Sequence, residues 1–322
     1  VVENGRPAPP GLVLPQPQDL DLTPTAVAGG AAISLLGLIV LGFPAELFNK
    51  TLQQNYARMA RVFPWIVPKP DRDRHLAAQF AALLVSCTIA GAIGMFQKLH
   101  DWDFGAGART ALGIACGFLV TVVVYELAGR AAGRRLGLPR RTFRSYPGAL
   151  PVVALFVGIS TAGHLQPAYV YGHLAGSRWS ESDPPPPRGR ALQTAASSVA
   201  LLVLALACWG ARAAVTTPLA SDILAGITLV GLNRLAFGLI PVTFLDGNAV
   251  ASYNRRWWAA LYLPVLVAFI LLVLLPTARR RPGDVVGVSL LLFALFAGLS
   301  VGVWAWFRRS HERRLAMMEA IS

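Results

Sequence analysis

Apolar runs of roughly 18 to 25 residues recur along this chain, each long enough to cross the hydrocarbon core of a bilayer. They fall near Ala26–Phe43, Leu76–Phe96, Thr110–Gly129, Leu192–Ala211, Ile223–Leu245, Trp257–Pro276 and Val285–Phe307. One further run, Pro147–Ser160, is shorter and leads into Thr161–Gly172. Its length predicts a re-entrant or partly buried segment rather than a full crossing. Between the first two runs, Glu46–Arg61 is polar, with Leu47, Phe48, Leu52 and Tyr56 on one loose face, which predicts an interfacial helix. The pattern predicts an all-α, polytopic helical membrane protein with about seven transmembrane helices and one re-entrant segment. Val1–Thr25 is rich in proline and lacks helical period. It reads as an extracytoplasmic linker to an upstream domain, leaving residues 26–322 as the transmembrane domain.

Composition agrees with that pattern. Of 322 residues, 55% are hydrophobic and 14% charged, and the mean hydropathy is +0.53; a water-soluble domain carries about 25% charged residues. The net charge of +13 sits in blocks between apolar runs, which is the signature of cytoplasmic loops and argues against a nucleic-acid partner. With Pro147–Ser160 re-entrant, about 21 basic residues fall in the cytoplasm and about 7 outside; a full crossing gives about 16 against 12. The charge therefore favours the re-entrant arrangement, with the N-terminus outside and the C-terminus in the cytoplasm. Cys87, Cys116 and Cys208 lie inside apolar runs without metal-type spacing and read as small buried hydrophobes. Asn49-Lys50-Thr51 matches a glycosylation triplet, but this topology puts it on the cytoplasmic side, so it reads as chance. Trp257, Trp258, Trp304 and Trp306, near span ends, read as an interfacial belt.

Candidate chemistry gathers in two stretches. Phe237-Gly-Leu-Ile-Pro-Val-Thr-Phe-Leu-Asp-Gly247 places Pro241, Asp246 and Gly247 at or near membrane depth, and Val122–Arg130 carries Tyr125, Glu126 and Arg130. An acid at the edge of hydrocarbon is costly and marks a candidate site. The plainer readings are a helix-ending Asp-Gly turn and a local Glu126–Arg130 ion pair at i,i+4. The predicted topology ends the third and fifth spans on the same side, so Glu126 and Asp246 share a depth. Asn233 and Arg234 sit near mid-membrane and need a polar partner or a water-filled cavity. On a continuous helix Arg234 would be about 18 Å from Asp246, too far to pair.

Tyr125-Glu126-Leu127-Ala128-Gly129 keeps the frame of the zinc signature His-Glu-x-x-His with both histidines replaced. With Leu245-Asp246-Gly247 and the intervening re-entrant segment, residues 110–250 resemble the core of site-2 proteases, the intramembrane zinc metalloproteases. In that family the glutamate takes a proton from zinc-bound water and the aspartate is a metal ligand, which the resemblance carries to Glu126 and Asp246. Tyr125 and Gly129 depart from the ligand pattern and leave too few ligands for a catalytic zinc. His164 and His173 border the re-entrant segment and are the remaining imidazoles for an altered metal site. Phe237-Gly-Leu-Ile-Pro241 and Phe43–Asn49 also resemble an actinobacterial family of multi-span membrane proteins with a Phe-Gly-Leu-Leu-Pro motif. The arginine- and alanine-rich composition fits a high-GC bacterium.

These resemblances imply a pseudoprotease-like protein of the bacterial plasma membrane, without cofactor. It would bind or scaffold a membrane or membrane-proximal client in a cleft near Tyr125, Glu126, Arg130, Asn233, Arg234, Phe237, Pro241, Asp246 and Gly247. The competing expectations are a metalloprotease with an altered site and a small-solute transporter. No internal repeat supports the transporter.

Overall fold

The structure is a computed structural model. It describes residues 2–3, 6–7, 12, 14–20, 23–54, 75–96, 104–163, 169–179, 184–243 and 245–274, with isolated positions near residue 300. His164, the seventh expected span and the C-terminal arginines lie outside the described residues.

The elements are α1 (Pro24–Gln54), α2 (Leu76–Met95), α3 (Phe104–Arg135), β1 (Thr142–Ser145), α4 (Leu150–Ala162), β2 (Ala175–Arg178), α5 (Pro187–Ala211), α6 (Pro218–Gly238), α7 (Asp246–Ala251) and α8 (Arg255–Phe269). Among the described residues five helices are long and apolar enough to cross a membrane: Leu76–Met95, Gly105–Arg135, Pro187–Ala214, Pro218–Gly238 and Arg255–Leu274. They coincide with five of the seven expected spans. The first expected span runs without a break into the described part of the expected interfacial helix, the two forming one continuous α1.

The bundle has an apolar core that includes Leu83, Ile114, Leu201 and Leu232, but its outer surface is unlike that of a protein in water. Large apolar side chains point outward, with Val203 61% and Val85 58% exposed. Polar ones, including Ser86, Thr121, Gln193, Ser197, Asn233 and Arg234, are buried. Lipid solvates the first set and cannot hydrogen-bond the second. The chain is a helical membrane protein.

The centre of the bundle is α3, which packs on α2, α5 and α6. It meets α6 backbone to backbone: a Cβ on Gly113 would sit 2.5 Å from the Asp222 carbonyl oxygen, and one on Gly117 2.5 Å from that of Gly226. On the other side Gly91 lets α2 approach the Ala111 carbonyl. Such small-residue contacts let helices associate where lipid removes the hydrophobic drive. Gly137, at φ 63, ends α3 in the left-handed region that a C-terminal stop requires.

Among the described residues, β1 and β2 depart from all-α character, as does the two-residue pair Val2–Glu3 and Arg6–Pro7 near the N-terminus. β1 and β2 pair antiparallel, Thr142 opposite Arg178 and Ser145 opposite Ala175. The Tyr146 amide donates to the Leu174 carbonyl at 2.7 Å. The two ends of 146–174 thus lie side by side, and the 13-residue α4 between them spans only about 20 Å. Segment 146–174 leaves from and returns to one place. Gln79 of α2 anchors the ladder, its Oε1 accepting from the amide and hydroxyl of Ser145 at 2.9 and 2.8 Å.

At the far end, the proline-rich segment is seated on the bundle. Leu12 and Leu14 are buried; the Leu12 amide donates to Asp222, and Arg212 donates to the carbonyls of Leu14 and Pro15. Arg109 completes this cluster by pairing with Asp222 at 3.2 Å.

Candidate functional site

The fifth expected span, Ile223–Leu245, is broken. Pro241 has no amide proton and biases the preceding residue away from helix, and α6 stops at Gly238. Its last carbonyls are taken by α8: Tyr262 donates to Ala236 at 2.5 Å and the Trp258 indole to Leu239 at 2.8 Å. Trp258 is therefore a buried capping residue and not part of an interfacial belt; Trp257 stays 46% exposed. The chain turns through residues 239–245 and restarts as α7 at Asp246. Gly247 is required at this return, since a Cβ there would collide with the carbonyl oxygens of Leu239 and Ile240.

Asn49 of α1 clasps the return. Its Nδ2 donates to the Pro241 carbonyl, and its Oδ1 accepts from the amide and hydroxyl of Thr243, each at 2.7 Å. Nearby, Glu46 pairs with Lys50 at 2.9 Å and Arg255 at 2.7 Å. The expected cleft residue Phe237 is an aromatic hub, its ring centroid 4.8 Å from Phe156, 5.3 Å from Tyr171, 6.1 Å from Tyr169 and 6.0 Å from Phe269.

The helix breaks between Arg234 and Asp246, and among the described residues no ion pair joins the two. Both side chains act on Tyr125, Tyr171 and His173. The Arg234 guanidinium carbon lies 4.4 Å from the Tyr125 ring centroid, a cation–π contact in a desolvated setting. Arg234 is 7% exposed, and its Nε and Nη2 have no hydrogen-bond partner among the described residues. Asn233 donates to the Leu229 carbonyl at 2.8 Å, while its Oδ1 is unpartnered among the described residues.

Glu126 is buried, and its partner is Ser177 of β2 rather than Arg130. Oε1 accepts from the Ser177 amide at 3.0 Å and Oε2 from the Ser177 hydroxyl. Arg141 holds the other side of that residue, donating to the Ser177 carbonyl at 2.5 Å. The acid is thus pinned by the returning strand, and among the described residues no ion pair joins it to Arg130.

The two positions that carry histidines in the zinc signature are filled differently. The Tyr125 ring carries Arg234. Next to Gly129 the space belongs to α5: a Cβ there would lie 2.7 Å from the Ser197 hydroxyl oxygen and 3.5 Å from Gln193. Ser197 donates to the Tyr125 carbonyl at 3.0 Å and Gln193 to the Gly129 carbonyl at 2.7 Å. These two α5 residues, four apart, match the spacing of the two α3 carbonyls. Sequence reasoning missed Ser177, Tyr171, Gln193, Ser197 and the clasp by Asn49. The available signal was polar Gln193 and Ser197 four apart inside an apolar run.

His173 shares the neighbourhood of Arg234, Asp246, Glu126 and Arg178. Burial, with help from Arg234, pushes its imidazole down to about 4, against the pull of the two acids; near pH 7 the ring is neutral. Among the described residues no three His, Cys, Asp or Glu side chains are grouped to hold a metal ion. The residues present do not fit a catalytic zinc. A fixed cation stands on the Tyr125 ring, the Gly129 side is occupied by α5, and Glu126 is already hydrogen-bonded. What the arrangement offers is a buried polar cluster at the end of α6, with a guanidinium two of whose nitrogens lack a hydrogen-bond partner among the described residues.

Comparison with family models, curated proteins and solved structures returns no match.

Proposed function

We propose that this chain is a non-catalytic integral membrane protein of the bacterial plasma membrane, on a core like that of site-2 proteases. In this reading the polar cluster between α3 and the return after α6 binds or scaffolds a client from the membrane or its surface. The observation that carries it is Arg234 on the face of Tyr125. Metal-assisted hydrolysis needs a dication at this place and a carboxylate free to take a proton from its water. A guanidinium there supplies positive charge without an open coordination position. Glu126, hydrogen-bonded twice to Ser177, is a structural acceptor. The adjacent ends of 146–174 support the re-entrant topology, with the basic loops in the cytoplasm facing anionic lipid.

The competing reading is an altered metal site that draws on Glu126, Asp246 and His173, which do not form a metal-binding group among the described residues. Metal analysis of the detergent-purified protein separates the two. The binding reading expects zinc far below one equivalent, unchanged by Asp246→Asn. Near-stoichiometric zinc that disappears in Asp246→Asn would replace it with the metalloprotease. On the client side, a photo-crosslinking residue in place of Leu245, beside Asp246, should give discrete adducts in native membranes without cleavage of the captured protein.

A further inference from the structure

Arg234 has its face on an aromatic ring and one edge that is buried without a hydrogen-bond partner among the described residues. The ring of Tyr125 holds the face at 4.4 Å. The two groups without partners among the described residues, Nε and Nη2, lie on the same side of the guanidinium. That edge presents two parallel N–H bonds and meets two oxygens of one carboxylate or phosphate group. Two charged donors left bare in a water-poor interior are costly, and a cation–π contact does not compensate for them. The acids nearby do not fill the role. Glu126 is held by Ser177, and no ion pair joins Asp246 to Arg234 among the described residues. Tyr171 and His173 complete the surroundings, both within electrostatic reach of Arg234.

We infer that the unpartnered edge of Arg234 is an oxyanion-binding site, taking two oxygens of one carboxylate or phosphate group beside Tyr125, Tyr171 and His173. The inference rests on reading this cluster as a binding site and names the chemistry of its ligand. Two sources supply that chemistry: a small soluble anion, or the phosphate of an anionic lipid headgroup. Asp246, in the same neighbourhood, opposes any anion and so weakens the site.

The test uses the full chain in a nonionic detergent. It is titrated with acetate, with inorganic phosphate and with phosphatidylglycerol in mixed micelles; diacylglycerol serves as the lipid control without phosphate. Native mass spectrometry and calorimetry read the bound anion. At least one oxyanion should bind saturably, and diacylglycerol should not. Arg234→Gln should weaken binding about tenfold or more. Arg234→Lys, which keeps the charge and loses the fork, should weaken it too, and Asp246→Asn should tighten it by removing repulsion. Binding of acetate or phosphate identifies a soluble ligand; binding of phosphatidylglycerol alone identifies a lipid. The inference is overturned if none of the three binds, if Arg234→Gln binds as the wild type does, or if Asp246→Asn loosens the complex. Loss of this inference leaves the client reading standing where crosslinked adducts persist, whereas stoichiometric zinc removes the client reading itself.

Discussion

Glu126 shows how a residue's chemistry is set by a neighbour distant in sequence. Its two oxygens are occupied by the amide and hydroxyl of Ser177, 51 positions away. Glu126→Ala leaves both donors buried without an acceptor, which costs about 1–3 kcal/mol. Glu126→Gln retains one acceptor and should lose less. Thermal unfolding in detergent reads both. If the alanine variant were as stable as the parent, Ser177 would not depend on Glu126, and a catalytic role for the acid would regain its standing. The acid itself was legible: Tyr125-Glu126 and Leu245-Asp246-Gly247 stand out because carboxylates at membrane depth are costly. The partner was not legible, because Ser177 reaches α3 only after the chain has passed through α4 and returned. Arg234 was read only in part. Its depth marked it, but its place on the ring of Tyr125 was not legible, because that contact joins α3 to α6 across 109 positions.

At the level of elements, the helices were legible wherever a long apolar run ended in a strong stop. Gly137 closes α3, Pro187 and Pro218 open α5 and α6, and Asn254 caps α8 by accepting from the amides of Arg256 and Trp257. The break in Ile223–Leu245 was hidden because the run stays apolar through it and Pro241 alone marks it. The packing of these helices was also unread, although Gly113 and Gly117 are spaced to lie on one face. That face is where α3 and α6 touch. A methyl group on Gly226 would strike the Gly113 carbonyl and backbone, so Gly226→Ala should destabilise the fold by about 1–3 kcal/mol as the helices are forced apart. Gly158→Ala is the matched control: nothing lies within 4 Å of its added Cβ. In a helix interior that change is neutral or stabilising, by up to about 1 kcal/mol. Equal effects at the two positions would mean that α3 and α6 are not in backbone contact.

For the whole molecule, orientation follows from linking two ends of the bundle. At one end the β1–β2 ladder sets Thr142 opposite Arg178, among the arginines of the basic loops. At the other, Leu12–Pro15 sits on Arg212 and Asp222, beside the link between α5 and α6. α5 connects the two ends and is apolar enough to cross the membrane. The proposed topology therefore puts the ladder and the seated N-terminal segment on opposite sides, with the ladder in the cytoplasm by the positive-inside rule and the N-terminal segment outside. Single cysteines test this in a background where Cys87, Cys116 and Cys208 are replaced by serine. With a membrane-impermeant thiol reagent, cysteines at Arg140 and Arg188 should be labelled from the same, cytoplasmic side, and one at Thr216 from the other. The ladder makes the first expectation independent of charge counting, because it ties the chain before α4 to the chain after it. Labelling of positions 140 and 188 from opposite sides would mean that 146–174 crosses the bilayer, and the cluster at Arg234 would then lose the returning strand that holds Glu126.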